Sequence, residues 1–233
     1  MKLVARGPDL WTVDHDQRVA GLRLGTRMSI VRLSDGRLWL HSAVPLDEPT
    51  AAAIDALGDV AWIVAPNLFH HLHLASAHAR WPAASLVSPA ALAAKVPWLS
   101  TAAAWRPFEA TPAPAWAPEI VTVEIGGAPK VQERAFFLPG SRTLLVTDAV
   151  FNLTRPEGLW SRVMLTLMGS AGGPRQGRYL RSLVKDRAAF ADAMRAIIGL
   201  DPVGLVPCHG EVLGSGAAAA IETAAAWVLG TQK

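Results

Sequence analysis

Apolar and polar positions along the chain fall into short blocks, and the blocks come in a repeating order. Residues 28–33 and 38–42 are apolar runs of strand length joined by Ser34-Asp35-Gly36-Arg37, where Asp-Gly supplies the positive φ of a tight turn; together they predict a hairpin. Asp47-Glu48-Pro49-Thr50 has the acidic residues and proline of a helix's first turn, residues 51–57 continue it, and Gly58 stops it. Residues 60–65 form the next predicted strand, 72–80 a helix, 85–88 a short strand and alanine-rich 89–95 a further helix. The stretch 96–118, rich in Pro and Trp, reads as a long irregular connection that Trp98, Trp105 and Trp116 pin down by apolar burial.

The second half begins again with strands at 120–125, 131–138 and 143–146, separated by Gly-Gly and Pro-Gly turns. From 155 to 200 the pattern is helical with an interruption at 169–174, and Phe190, Met194 and Ile197 recur at helical spacing. A strand at 204–207 and an alanine-rich helix at 217–229 close the chain. Each half thus opens with strands and closes with helix, which suits two sheets with helices outside them in one domain spanning 1–233.

Composition narrows the partners. Of 233 residues 51% are apolar and 18% charged, and 17 Pro and 19 Gly are dispersed rather than gathered into a linker, so the expectation is a compact globular protein. The net charge is +3, and the nearest thing to a basic cluster, Arg175, Arg178, Arg181, Lys185 and Arg187, lacks an aromatic stacking platform. It reads as a solvated helix face, so nucleic acid is not an expected partner. A single cysteine excludes an internal disulfide, and residues 1–8 lack the apolar core of a signal peptide, so a cytoplasmic location is expected. No apolar run reaches the roughly 18–20 residues of a membrane span. The expected partner is a small molecule, with a homodimer left open.

Three places set a metal-ligating residue immediately after an apolar strand: His70 and His71 after 62–65, Asp148 after 144–146, and His209 after 205–206. If the carboxyl ends of those strands lie together, imidazoles and a carboxylate converge, a donor set that suits Zn²⁺ or Fe²⁺ rather than the all-oxygen shells of Mg²⁺ or Ca²⁺.

The spacing resembles the metallo-β-lactamase superfamily, whose first motif has the form Thr-His-x-His-x-Asp-His at a strand-to-helix loop. Laid over it, residues 65–71 (Ala-Pro-Asn-Leu-Phe-His-His) put Pro66 and Leu68 in the first two histidine places and His70 in the aspartate place, and keep His71. Thr147-Asp148 is similar to the family's later Gly-Asp, and Pro207-Cys208-His209-Gly210 to its late ligand histidine. Where the family has a further histidine, Glu133 is the one candidate, as a substitute ligand or as a support behind the ligands. Thr26-Arg27-Met28, Leu38-Trp39-Leu40-His41-Ser42, Ser141-Arg142-Thr143-Leu144 and Phe151-Asn152 resemble more closely a bacterial branch of that superfamily, a domain of unknown function.

The resemblance implies an αββα four-layer sandwich, two mixed β-sheets flanked by helices. It also implies one Zn or Fe ion held by His70, His71, Asp148 and His209, with Asp148 the catalytic carboxylate. The implied activity is that of a divergent metallo-hydrolase cleaving a small ester, thioester or lactone-like substrate. The alternative is a binding or scaffold protein that kept the fold and lost the dinuclear site, since neither Pro66 nor Leu68 can coordinate a metal. His41 is a candidate to support a ligand from behind, and Asn67 a candidate to hold its loop as an Asx turn. His73 is expected to point elsewhere, Cys208 to be a buried small side chain, and Arg142 to start a strand or reach an anion. The apolar segment 160–173 is read first as core, with a dimer surface or a covering segment as the other readings.

Overall fold

The computed structural model describes residues 1–111 and 115–230, and the chain divides into two compact units, Met1–His15 with Arg27–Glu119 and Asp16–Thr26 with Ile120–Lys233.

The first unit is built on a seven-stranded sheet in the order Leu3–Gly7, Leu10–His15, Thr26–Arg32, Leu38–His41, Val60–Val64, Ser85–Ser88, Trp105–Pro107. The hairpin expected around Asp35-Gly36 forms, with Ser29 opposite His41 and Arg32 opposite Leu38. Gly36 has φ +84°, and a Cβ on Gly58 would stand 2.3 Å from its carbonyl oxygen, so the helix stop and the hairpin turn need two glycines at one close approach. From Leu38–His41 onward the strands are parallel, which requires crossovers; helices Glu48–Asp55 and Leu74–Arg80 supply the first two, and the short helix Leu92–Lys95 lies in the third. Asp47 starts the first of these by accepting the Thr50 N–H at 2.9 Å. One apolar cluster, with Met28, Ile30, Leu40, Ile54, Ile63 and Leu86 at its fully buried centre, holds sheet and helices together. Each such side chain contributes about 1.5–3 kcal/mol on burial.

Two expectations for this unit need correction. An earlier hairpin, Leu3–Gly7 with Leu10–His15, precedes the predicted one; its first strand is half-exposed, so its apolar signal is weak. The connection at 96–118 is not wholly irregular, since it contains a 3-10 turn, Pro97–Thr101, and an edge strand, Trp105–Pro107, where an edge position tolerates the proline. Residues 112–114 of that connection lie outside the described residues. The tryptophans do pin it: Trp116 is fully buried, and Trp98 and Trp105 pack on the core.

The second unit has a four-stranded sheet in the order Val121–Glu124, Arg134–Leu138, Thr143–Val146, Gly204–Pro207. The first three form the expected antiparallel meander, and the fourth runs parallel to the third, with Val146 opposite Pro207. Helix Arg187–Gly199 is capped by Asp186, which accepts the Ala189 N–H at 3.0 Å, and buries Phe190, Met194 and Ile197 as their spacing predicts. Helix Ala217–Leu229 packs beside it through Ile221, Ala224 and Ala225.

The stretch 155–200 is less helical than its composition implies. Pro174–Arg175 leaves the helical path and pairs with Phe151–Asn152, and Gly172 and Gly173, both at positive φ, make the turn that allows it. The segment 160–173 is also not simply core. Helix Leu159–Leu167 buries Ser161 and Leu165, while Leu159, Trp160, Val163 and Leu167 are exposed, because apolar residues surround a helix with one narrow inward row.

Candidate metal centre

In the second unit, register alone brings two predicted ligands together. Thr143–Val146 and Gly204–Pro207 are neighbours, parallel and in step, so the residues following them leave the sheet side by side; the Cys208 N–H donates to the Val146 carbonyl at 2.9 Å. His209 Nε2 stands 3.8 Å from Asp148 Oδ1. The donors of one tetrahedral ion, each about 2.0–2.2 Å from it, are separated by a comparable span.

Both groups are held from behind. His209 Nδ1 lies 2.7 Å from the Gly25 carbonyl oxygen, which can only accept, so the ring proton sits on Nδ1 and Nε2 presents its lone pair in the neutral ring. The ring tilts against Phe151 at 4.5 Å. Asn152 fixes the chain beyond it: its N–H donates to the His209 carbonyl at 3.0 Å, its carbonyl accepts the Glu211 N–H at 2.8 Å, and its side-chain amide donates to the Glu211 carbonyl at 2.7 Å. A Cβ on Gly210 would meet the Asn152 carbonyl oxygen at 2.0 Å, so this position, at φ +94°, admits only glycine. Asp148 is positioned by Glu133, a buried carboxylate that accepts the N–H groups of Thr147 at 2.7 Å and Asp148 at 2.9 Å. The residue in the place of a family ligand thus clamps the loop that presents another ligand.

In the first unit the predicted site residues gather where the parallel strands Leu38–His41 and Val60–Val64 end. Asn67 is fully buried and its Oδ1 accepts the N–H groups of Phe69 and His70, each at 2.8 Å, the Asx turn its composition predicts. Ser42 Oγ meets His70 Nδ1 at 2.7 Å. Ser42 adopts φ +58°, a conformation non-glycine residues seldom hold, while its N–H donates to the Val64 carbonyl at 2.9 Å. With Nδ1 engaged, His70 is left Nε2 as its donor to any ion.

His41 is fully buried and stacks on Trp39 with centroids 5.7 Å apart; burial, then the charge of His70, lowers its pKa to about 3, so it stays neutral. His71 is half-buried, and burial, then the charge of Lys95, holds it below the usual imidazole range. Leu68 lies in the apolar core, which explains a leucine where the family pattern has a ligand. His73 packs edge-on against His15 at 5.9 Å, apart from this arrangement, and Cys208 is buried.

Arg142, directly before the strand Thr143–Val146, pairs with Asp201. Ser42 and Gly25 were not singled out in the sequence. Ser42 carries one signal, its place directly after His41 at a strand end; Gly25 acts through its carbonyl and carries none.

Among the described residues no helix is long and apolar enough to cross a membrane. The family model described as Domain of unknown function (DUF4336) matches residues 8–160. No curated protein matches the chain. Among solved structures, the chain is similar to the DIM-1 metallo-β-lactamase exposed to ceftazidime, with TM-score 0.66 and 13% identity over 96% of this chain and 95% of the other. It is similar to a metallo-β-lactamase from Pontibacter korlensis, with TM-score 0.60 and 14% identity over 96% and 98%. It also resembles the metallo-β-lactamase FIM-1 from Pseudomonas aeruginosa in its mono-zinc form, with TM-score 0.60 and 15% identity over 97% and 94%. At such identity these likenesses show the fold, which is that of the metallo-β-lactamases.

Proposed function

The chain belongs to the family described as Domain of unknown function (DUF4336), and from that membership and its fold we propose that it is a metallo-hydrolase using a single Zn²⁺ or Fe²⁺ ion. His70, Asp148 and His209 are the proposed donors, with His71 as the fourth. The observation that carries the reading is the orientation of His209: the Gly25 carbonyl accepts its Nδ1–H and leaves Nε2 at 3.8 Å from Asp148 Oδ1. Two kinds of nitrogen and oxygen donor, one of them nearly buried, fit a borderline transition metal better than Mg²⁺ or Ca²⁺. The mono-zinc form of FIM-1 supports a one-ion arrangement on this fold.

The ion, when bound, lowers the pKa of a water and polarises a scissile carbonyl. The chain's own residues do the rest. Asp148 receives the proton of the attacking water on its carboxylate. His209 and His70 keep their outer nitrogens fixed through Gly25 and Ser42, so neither ring reorients during turnover. Glu133 holds the Asp148 loop against displacement. The proposed substrate is a small ester, thioester or lactone-like molecule.

A second reading, a binding or scaffold protein on the same fold, is favoured by Pro66 and by Leu68, which is committed to the core. Metal analysis of the purified protein after loading with Zn²⁺ or Fe²⁺ is decisive. Close to one ion per chain is expected, lost in His209→Ala and Asp148→Ala with circular dichroism unchanged. Absence of metal in the loaded parent protein sinks the proposal. Metal without turnover of aryl ester, thioester or lactone probes selects the second reading.

A further inference from the structure

Several arginines of this protein are matched to acids. Arg23 pairs with Glu157, Arg27 with Asp14, Arg134 with Glu124 and Arg142 with Asp201. Arg181 and Arg187 lie over the ring of Trp227 at 5.2 and 5.0 Å, which disposes of part of the basic cluster read from the sequence. Three further arginines share one place in the second unit. Arg155, Arg162 and Arg175 have no acidic partner among the described residues, and all three line one cavity of about 620 Å³ in the second unit, together with Thr154, Thr166 and Gly172. Glu157, the acid nearest in sequence to Arg155 and Arg162, is already engaged by Arg23, and Glu211 accepts from Thr154 of the cavity wall.

The cavity is built by the fold rather than by chance proximity of flexible side chains. Arg162 and Thr166 are one helical turn apart on Leu159–Leu167 and share a face. Arg175 is fixed by the pairing of Pro174–Arg175 with Phe151–Asn152. Its guanidinium lies over Gly172, where a Cβ would be 3.8 Å from both Nε and Nη2, and Gly172 is itself tied to the Leu153 carbonyl at 2.8 Å. Three like charges brought together without a counter-charge repel one another, and the arrangement becomes favourable when an anion with several acceptor oxygens enters. Guanidinium groups recognise phosphate oxygens bidentately, and a volume of this size admits a phosphorylated small molecule rather than a lone ion.

We infer that this cavity is a binding site for a phosphate-bearing ligand, with Arg155, Arg162 and Arg175 as the recognising groups and the Thr166 hydroxyl as a further donor. It is independent of the proposed metal centre. The same helix exposes Leu159, Trp160 and Leu167, so the phosphate has two sources to be told apart, a free small molecule and a lipid headgroup.

The test is calorimetric titration of the full chain with inorganic pyrophosphate at constant ionic strength, beside sedimentation with phosphatidylcholine vesicles containing or lacking phosphatidylglycerol. Arg162→Gln and Arg175→Gln are expected to weaken binding by about tenfold or more each, as the loss of a charge-assisted pair implies. Binding of pyrophosphate with this loss assigns a free ligand, and vesicle binding with this loss assigns a headgroup. His209→Ala should leave either binding unchanged. Binding of neither probe, equal binding by the Arg155→Gln/Arg162→Gln/Arg175→Gln protein, or loss in His209→Ala overturns the inference. The last outcome would place the anion on the metal instead.

Discussion

The two units hold their histidines by different means. In the second, Asp148 and His209 follow adjacent parallel strands in register, and each is fastened through the main chain: Glu133 accepts the amides of the Asp148 loop, the Gly25 carbonyl accepts His209 Nδ1–H, and Asn152 brackets Gly210. In the first, two ligand places of the family pattern are filled by Pro66 and Leu68, and His70 relies on two side chains, Ser42 and Asn67. The Gly25 carbonyl is an acceptor any residue there would present, whereas Glu133, Ser42 and Asn67 act through side chains that substitution removes. On the proposed metal reading, the Asp148–His209 pair is expected to be the firmer and His70 the weaker donor.

That contrast is broken most directly at Glu133. Removing its carboxylate in Glu133→Ala leaves two amides with this acceptor gone in a buried place, each costing about 1–3 kcal/mol, so a loss of roughly 2–6 kcal/mol is expected in urea denaturation. Metal content should fall with it, since the loop no longer holds Asp148. Near-wild-type stability would show that Glu133 is not the clamp its geometry implies. Gly210→Ala comes next: it forces a Cβ to within 2.0 Å of the Asn152 oxygen at an unfavourable φ. Strain of this kind costs roughly 1–3 kcal/mol, read as a lowered denaturation midpoint. An unchanged midpoint would mean that the turn after His209 relaxes freely and that the second unit is no stiffer than the first.

What the sequence made legible follows the same division. The strand ends carrying His70, Asp148 and His209 were visible because apolar runs stop at them, and the parallel pairing of Thr143–Val146 with Gly204–Pro207 turns that adjacency into geometry. Asn67 was readable as an Asx turn, since its donors lie two and three residues on. Gly25 was not, because a carbonyl acceptor 184 residues from its donor leaves no mark on composition. Glu133 stands out in the sequence only by its place in the family pattern; that its buried carboxylate accepts the Thr147 and Asp148 amides needs the fold. The strand Pro174–Arg175 and the exposed helix Leu159–Leu167 were hidden because both sit in apolar, glycine-broken sequence whose period fits core equally well.

The first unit's contribution can be isolated by pH through His41. Its pKa is lowered to about 3, by burial first and by His70 second, whereas in the unfolded chain it titrates near 6.5. Below that value the unfolded state binds a proton the folded state refuses. Stability is thus complete above about pH 6.5 and declines as pH falls, by about 1.4 kcal/mol per pH unit for this one proton. Between pH 6.5 and 5 the expected loss is roughly 2 kcal/mol, measured by chemical denaturation. In His41→Phe the slope should be shallower by one proton. Equal slopes in the two proteins would place the acid sensitivity elsewhere and remove His41 from the account.

The smallest effect expected is the one that separates the units most cleanly. Ser42→Ala deletes the hydroxyl 2.7 Å from His70 Nδ1 and leaves His209, Asp148 and Glu133 untouched. Partners of this kind behind a ligating histidine are worth about 10–100-fold in metal affinity when removed. Because the second unit retains its pair of donors, the fall should stay near the lower end, about tenfold, and the ion should still load at high concentration. The side chain also leaves φ +58°, which alanine tolerates no better than serine, so stability should change little and the readout is affinity alone. Metal titration against a competing chelator distinguishes the outcomes. A fall of about tenfold fits a first unit that tunes, whereas complete loss of metal would make His70 as indispensable as His209 and erase the asymmetry between the two halves.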